Sequence, residues 1–377
     1  MRLSLQKAAH ANMGGAAYRK SGSPHLFRPT YAGANVGHPS KPPTFFPTFS
    51  LMKHRFARVA GYLIILLTSL WAAMALAIDL QIIAAVAYGL AILLILFLLR
   101  TRPLRQLLAC LLGCALVLAW WLTLKPSNEG RWQPDVSKTA WAEVQGSEVT
   151  IHNLRDCDYR TELDYTCQWL TRTINLNQID GVDLFMNYWG SPLIAHTILS
   201  FDVHGGDHVA FSIETRKQMG QRYSALLGFF RQYTLISVVS DERDVVRLRT
   251  NYRHGEELYL FHTTATPQFA QSLFLNYIGL TNQLHDHPAW YNALTHNCTT
   301  EIFTLKSMKG QPWDWRLLLN GKADEMAYQD GMLVSGGLPF KELKQRAWIN
   351  PAARAANNDP DFSTRIRANR PGFSPQK

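Results

Sequence analysis

The strongest pattern along the chain is a set of three long apolar stretches, at residues 59–78, 80–99 and 106–124. Each has about the 20 residues that an α-helix needs to cross the hydrocarbon core of a bilayer, and none contains a charged residue. Charges occur only at the joints, with Asp79 in the first joint and an arginine-rich segment, 100–105, in the second. The pattern predicts a membrane anchor of three transmembrane helices over residues 59–124.

Basic residues are concentrated before and between these stretches. Residues 1–58 contain nine Lys or Arg and no Asp or Glu, whereas residues 125–377 contain 26 basic and 27 acidic residues. The net charge of +10 is therefore a membrane-topology signal and argues against nucleic-acid binding. We expect residues 1–58 to be a disordered basic cytoplasmic arm, with the start at Met1 or Met52 left open. The protein is then a multi-pass membrane protein whose C-terminal domain lies outside the cytoplasm.

Beyond the anchor, apolar and polar positions alternate in short runs that predict β-strands. These runs are residues 147–161, 195–203, 208–216, 233–240, 244–250 and 256–264. Thr266 followed by Pro267 predicts the start of a helix that extends to about Leu284. A second helix is predicted from Cys298 to near Gly310. The pattern indicates an α+β domain with an antiparallel sheet over residues 140–350, followed by a polar surface tail, 351–377.

The second and third of these runs form a predicted hairpin. They are joined by His204, Gly205 and Gly206, and a three-residue loop of this kind pairs Val203 with Asp207. Because side chains alternate between the two faces of a sheet, this register places the polar positions of both strands on one face.

On that face the same register sets His196 opposite Glu214. Cross-strand neighbours lie about 5 Å apart at Cβ, close enough for the carboxylate to hold the imidazole. A five-residue loop would make Glu214 a diagonal neighbour that still reaches His196. Arg216 follows two residues later and is either a substrate-positioning group or a partner in a salt bridge. His196 is thus a candidate proton acceptor and Glu214 its orienting group.

Cys298 lies in the segment ALTHNCTTEIF, residues 293–303. If Thr295 or Asn297 caps the predicted helix, the thiol occupies the first turn, where free N–H groups and the helix dipole lower a thiol pKa. The same N–H groups, together with Asn297 and Thr299, form a candidate oxyanion hole. The alternative is a small buried cysteine at the start of a helix.

The other cysteines fit simpler interpretations. Cys110 and Cys114 lie inside the third apolar stretch, as small apolar residues. Cys157 and Cys167 lie ten residues apart in the exported part, where the compartment permits a disulfide. A disulfide and two unpaired buried thiols both remain open for this pair.

Two further groups of polar residues are candidates for binding an anion or a metal ion. Three arginines alternate along the predicted strand 244–250 and its start: Arg243, Arg247 and Arg249. They form either a salt-bridged strand or a clamp for an anionic lipid headgroup. His204 and His208 lie in a turn rather than on one face of a helix, so we expect no metal and no cofactor.

Several motifs in this order resemble the Lnb-type N-terminal periplasmic domain family: AHTILSF, VAFSIETRK, SDERDVVRLRT, WYNALTHNCTT and DPDFSTRIR, over roughly residues 145–370. That family is similar to permuted papain-like thiol enzymes of the NlpC/P60 and lecithin:retinol acyltransferase types, in which a strand histidine precedes a helix-borne cysteine. The resemblance implies a papain-like fold and a Cys–His–acid site at Cys298, His196 and Glu214. In the family's acyltransferases the membrane part follows the domain, whereas here three spans precede it.

The resemblance also implies lipoprotein N-acylation, the transfer of an acyl chain from a phospholipid to a lipoprotein amine. We therefore expect a multi-pass bacterial inner-membrane protein with a periplasmic C-terminal domain, which is a membrane-anchored thiol acyltransferase that acts at the bilayer surface. Two alternatives remain open. One is a cysteine hydrolase that cleaves cell-wall peptides with water as the acceptor, and the other is a non-catalytic membrane-anchored binding module. A deep apolar groove at Cys298 would favour a lipid substrate, and an open polar cleft would favour peptidoglycan.

Overall fold

The computed structural model describes residues 48–291 and 320–373. It begins with three helices, α1 (Thr48–Asp79), α2 (Ile82–Leu98) and α3 (Pro103–Thr123). The part of α1 from Arg55 to Asp79 and the whole of α3 are each long and apolar enough to cross a membrane. With 17 residues, α2 is shorter than such a span. Two of the three predicted spans thus have suitable helices, and the third crossing stays a prediction.

The exported part is built around an eight-stranded sheet. Its strands are β1 (Trp141–Gln145), β2 (Glu148–Tyr159), β3 (Tyr165–Asn175), β4 (Ile179–Trp189), β5 (Ser191–Val203), β6 (Asp207–Arg216), β7 (Thr234–Ser240) and β8 (Glu256–His262). The spatial order is β1-β2-β7-β6-β5-β4-β8, and β3 pairs with β2 off this path. Every pair is antiparallel except β2 and β7. The sheet is therefore mixed rather than wholly antiparallel, because β7 returns beside β2.

Helices surround this sheet, so the exported part is α+β as predicted. They are α4 (Glu242–Arg247), α5 (Pro267–Asp286), α6 (Ala323–Gln329), α7 (Phe340–Ala347), α8 (Asn350–Ala355) and α9 (Phe362–Arg367). A π-helix, Leu248–Tyr252, continues α4. Short 3₁₀ turns occur at Pro134–Val136, Leu176–Gln178, Leu227–Phe229 and Asn320–Lys322.

The hairpin of β5 and β6 has the register predicted from its turn. Val203 pairs with Asp207, and the ladder continues to Ile198 opposite Ser212. Gly205 and Gly206 have φ angles of +103° and +83°, a region that side chains with a Cβ rarely adopt. The two glycines therefore permit the tight turn that fixes the register.

One face of the sheet is covered by α5, which forms the larger apolar core. Phe274 and Tyr277 of α5 pack against Phe201 of β5 and Phe211 of β6, with ring centroids 5.1 to 6.2 Å apart. All four side chains are at most 1% exposed. Burying a side chain of this size stabilises the fold by roughly 1.5–3 kcal/mol. The helix begins at Pro267 as predicted.

The segment predicted as the strand 244–250 is helical instead. The Asp241 carboxylate accepts a hydrogen bond from the Asp244 N–H at 2.7 Å and thereby caps α4. Val245 and Val246 are both fully buried in the second core cluster, on the face opposite α5. The strand prediction was wrong because a short alternating run suits a capped helical turn equally well.

The C-terminal segment is not the surface tail that its polar composition predicted. Phe362 and Ile366 of α9 are 1% and 0% exposed and pack against Phe185 and Ile198 of the sheet. Arg367 of the same helix is also buried. The prediction failed because the segment has few large apolar residues, and only the spacing of Phe362 and Ile366 on one face of a helix marks it as part of the core.

The structure pairs Cys157 with Cys167 in a disulfide across β2 and β3, where the two residues are directly opposite. We expect peptide mapping of the purified, non-reduced protein to recover these two residues in one linked fragment. Cys110 and Cys114, which are free, serve as the internal control because they should be alkylated once the chain is denatured. Alkylation of Cys157 and Cys167 in the non-reduced denatured chain would contradict the pairing.

Candidate active site

His196 lies in β5 on the face opposite α5 and is 9% exposed. Its cross-strand partner on β4 is Asn187. Toward β6, its Nε2 atom lies 2.7 Å from the Ser212 hydroxyl oxygen. The imidazole is thus held toward β6 by the Ser212 hydroxyl group.

Ser212 links the histidine to the predicted carboxylate. Its hydroxyl donates to Glu214 Oε1 at 2.8 Å, and Arg249 Nη2 donates to the same oxygen at 2.8 Å. We expected Glu214 to hold His196 directly. The strand register agrees with that expectation, but the imidazole turns toward Ser212 and the carboxylate is bound by Arg249. The structure therefore brings His196 and Glu214 together through a serine that sequence reasoning missed.

The direction of these hydrogen bonds fixes the tautomer of His196. Burial opposes ionisation of Glu214, but the guanidinium groups of Arg249 and Arg155 hold its pKa well below the usual value. An ionised carboxylate only accepts hydrogen bonds, and a serine has one hydroxyl hydrogen. Ser212 donates that hydrogen to Glu214, so its oxygen accepts the hydrogen bond from His196 Nε2. The histidine therefore carries its proton on Nε2 and a lone pair on Nδ1.

His196 is neutral in this environment. Burial and the nearby charge of Arg249 lower its pKa to about 3, although the Glu214 carboxylate acts in the opposite direction. A neutral imidazole with a lone pair on Nδ1 is the form that accepts a proton. His196 is therefore uncharged at neutral pH, and its Nδ1 lone pair can accept a hydrogen bond.

A second buried polar group lies beside His196 on the β4 side. Asn187 is 2% exposed and donates from Nδ2 to Glu256 Oε2 at 2.6 Å. Glu256 is in turn 3.6 Å from Arg253. The Asn187 carbonyl oxygen is buried with no hydrogen-bond partner among the residues that the structure describes. Sequence reasoning missed this residue because it lies in β4, a strand that was not predicted.

Arg216 does not join this group. It is 2% exposed and donates to Val136 O at 2.8 Å, Ser137 O at 2.9 Å and Asn128 Oδ1 at 2.9 Å. Its guanidinium also lies 4.3 Å from the centre of the Trp132 ring. Burial lowers its pKa to about 10. The predicted substrate-positioning role is corrected to a structural one, because Arg216 fastens the segment that joins α3 to the sheet.

The arginines proposed as a headgroup clamp also have internal partners. Arg247 Nη2 lies 2.6 Å from Asp158, and Arg249 binds Glu214. Both arginine side chains are only 3% exposed. Two members of the predicted clamp therefore neutralise buried or neighbouring carboxylates and are not available to a lipid headgroup.

Cys298, Asn297 and Thr299 lie outside the described residues, within the segment 292–319. Their predicted roles as nucleophile and oxyanion-hole groups therefore stay predictions. The structure describes only the residues that flank this segment on its two sides.

Both ends of the segment are held near the end of the sheet where β6 stops and β5 and β7 start. On one side, the Tyr291 N–H donates to Tyr233 O at 2.9 Å, immediately before β7. On the other, the Tyr188 hydroxyl donates to Gly321 O at 3.1 Å. A Cβ on Gly321 would lie 2.4 Å from the backbone oxygen of Pro192 in β5, so only glycine fits there. The segment that contains Cys298 thus leaves and rejoins the described fold close to β5 and β6.

The protonation state of His196 is testable. We expect side-chain ¹⁵N NMR of the full-length Cys298→Ser protein to show a neutral, Nε2-protonated ring well below the ordinary histidine pKa of about 6.5. The unfolded chain takes up this proton near that pH, whereas the folded chain takes it up only near pH 3. This histidine therefore lowers stability as the pH falls from about 6.5 toward about 3. His196→Gln assigns the signal, and a ring that titrates near pH 6.5 would contradict the assignment.

Comparison with known protein families gives a match to part of the chain. Residues 165–321 match the model of the Lnb N-terminal periplasmic domain, and this range includes His196, Ser212 and Glu214. No curated protein and no solved structure matches the chain significantly. Together with the two helices that are long enough to cross a membrane, the match fits a membrane protein with a periplasmic C-terminal domain. The expected resemblance is therefore confirmed over residues 165–321, which match the Lnb N-terminal periplasmic domain.

Proposed function

We propose that this protein is a membrane-anchored periplasmic thiol acyltransferase that moves an acyl chain from a phospholipid to a lipoprotein amine. The observation that carries the proposal is the hydrogen-bonded chain from His196 through Ser212 to Glu214. This chain leaves His196 Nδ1 as a fixed proton acceptor on a buried face. A Cys–His–acid site of a thiol enzyme needs a base that is oriented in this way.

The first half-reaction forms an acyl-enzyme. His196 Nδ1 takes the proton of the Cys298 thiol, and the sulfur attacks the ester carbonyl of the phospholipid. The carbon–sulfur bond forms, the ester carbon–oxygen bond breaks, and the imidazolium returns its proton to the departing lysophospholipid. Glu214 stabilises the transient imidazolium through Ser212. Asn297 and Thr299 are proposed to donate hydrogen bonds to the oxyanion.

The second half-reaction transfers the chain. The lipoprotein amine attacks the thioester while His196 Nδ1 takes one of its protons. The carbon–nitrogen bond forms, the carbon–sulfur bond breaks, and the imidazolium returns the proton to the Cys298 thiolate. The same base thus serves both steps, because each begins by removing a proton from a nucleophile.

The distance along the chain allows Cys298 to reach His196. Cys298 is seven residues beyond Tyr291, and seven residues of extended chain span at most about 25 Å. The Tyr291 contact lies at the start of β7, two strands from β5. Adjacent strands are about 4.8 Å apart. The length of the chain therefore permits Cys298 to approach His196.

Ser212 provides the sharpest test, because only the structure assigns it a role. We expect Ser212→Ala to slow acyl-adduct formation on Cys298 by about 10-fold to 100-fold, the effect of losing a hydrogen bond to a charged group. Cys298→Ser should abolish the adduct, and His196→Ala should cost nearly as much. Glu214→Gln should cost less than His196→Ala because the proton acceptor remains. Intact-protein mass spectrometry after incubation with phospholipid vesicles measures the adduct.

Ser237→Ala is the matched control for Ser212→Ala. Ser237 lies in the neighbouring strand β7, and its buried hydroxyl bonds Thr281 at 2.7 Å on the α5 side of the sheet. This variant should retain the wild-type rate. Equal losses in the two serine variants would show a general packing effect. An adduct that releases free fatty acid and never acylates an amine would identify a hydrolase, and wild-type activity in Cys298→Ser would refute the thiol mechanism.

A further inference from the structure

The connection between β6 and β7, residues 217–233, is called here the β6–β7 loop. It contains Lys217, Arg222 and Arg231 and no acidic residue. Four of its apolar side chains are exposed: Met219 by 56%, Tyr223 by 43%, Leu226 by 53% and Phe229 by 41%. Exposed apolar groups clustered with basic residues are typical of a surface that lies against an anionic membrane.

The end of this loop is packed against the membrane helices. Phe230 is 4% exposed and belongs to one apolar cluster with Ala72 and Ala75 of α1 and Val117 of α3. Its neighbours in the loop are therefore held beside the same ends of these helices. Among the exposed side chains of the loop, Phe229 and Leu226 lie one and four residues before Phe230 in the chain.

Polar contacts fix the loop at the same place. Arg231 Nη1 donates to Trp121 O at 2.7 Å and Leu124 O at 2.8 Å, and its guanidinium lies 4.1 Å from the centre of the Trp121 ring. Gln232 and Trp121 both donate to the Asp79 carboxylate at the end of α1. Tryptophan and charged side chains at the end of a membrane helix mark the boundary between hydrocarbon and water. The β6–β7 loop therefore lies at the level of the lipid headgroups.

We infer that the β6–β7 loop is a membrane-contact element that inserts Met219, Tyr223, Leu226 and Phe229 into the periplasmic leaflet. The basic residues of the loop then lie among anionic phospholipid headgroups. The occupant of this apolar surface is the bilayer that already surrounds α1 and α3, because the loop is continuous with their outer ends.

This contact has a consequence for the site, and that consequence rests on the proposed function. The β6–β7 loop begins directly after Arg216, the last residue of β6, and Arg216 is two residues beyond Glu214. A loop that is embedded in the leaflet therefore holds this end of β6, and the site beside it, close to the membrane surface. A phospholipid needs only a short displacement from the leaflet to reach such a site.

Photo-crosslinking tests the contact directly. Full-length protein carrying p-benzoylphenylalanine at position 226 is reconstituted in nanodiscs of phosphatidylethanolamine and phosphatidylglycerol and irradiated. The matched control carries the same group at Leu163, an 88% exposed residue in the β2–β3 turn, which follows the opposite end of the sheet. We expect phospholipid adducts at position 226 and none at position 163. No adduct at position 226, or equal adducts at both positions, would overturn the inference.

A loop variant separates the contact from the chemistry. Leu226→Ser and Phe229→Ser combined should strongly reduce acyl transfer from bilayer phospholipid while iodoacetamide alkylates Cys298 at the wild-type rate. Retention of the Cys157–Cys167 disulfide checks that the variant folds. Adducts at position 226, together with an absence of acyl transfer by the wild-type protein, would support the contact and refute the proposed function. Unchanged transfer in the variant would refute the consequence for the site.

Discussion

The ion pair between Glu214 and Arg249 is the interaction on which the candidate site depends. A carboxylate inside a protein is costly unless a fixed positive charge and hydrogen bonds compensate for the lost hydration. Arg249 supplies this charge at 2.8 Å, so Glu214 stays ionised and can only accept. Ser212 must then donate toward Glu214, and His196 must donate toward Ser212. One ion pair therefore determines which nitrogen of His196 is free. Because Arg249 comes from the π-helix, the helical form of residues 242–252 is part of the same arrangement.

The hairpin could be predicted from sequence because its determinants are local. The Gly205–Gly206 turn sets the register, and the alternation of side chains then decides which residues share a face. Ser212 could not be assigned in the same way, because a register specifies neighbours but not the rotamer that an imidazole adopts. The role of Arg216 could not be predicted either. It lies on the predicted face of β6 but at the end of the strand, where carbonyl oxygens of the segment after α3 accept its hydrogen bonds.

Other features could not be predicted because they depend on distant parts of the chain. Arg367 in the last helix binds Asp183 of β4, 184 residues away, and also Glu242 of α4. Residues in β4 are buried on both faces, so this strand lacks the alternation that identifies a half-exposed strand. The partner of a buried charged side chain is therefore determined by which elements pack beside it. The sequence of a polar C-terminal segment does not by itself indicate this packing.

Strand β6 connects the candidate site mechanically to the membrane. Ser212 and Glu214 hold the histidine, Arg216 binds the segment that leaves α3, and the loop that follows packs on α1 and α3. Asn128 in that segment also donates to Leu284 O and His285 O at the end of α5. The sheet is therefore attached to its anchor through packed side chains and hydrogen bonds rather than through a free linker. An attachment of this kind keeps His196 at a fixed position relative to α1 and α3, which suits the proposed reaction with a phospholipid donor.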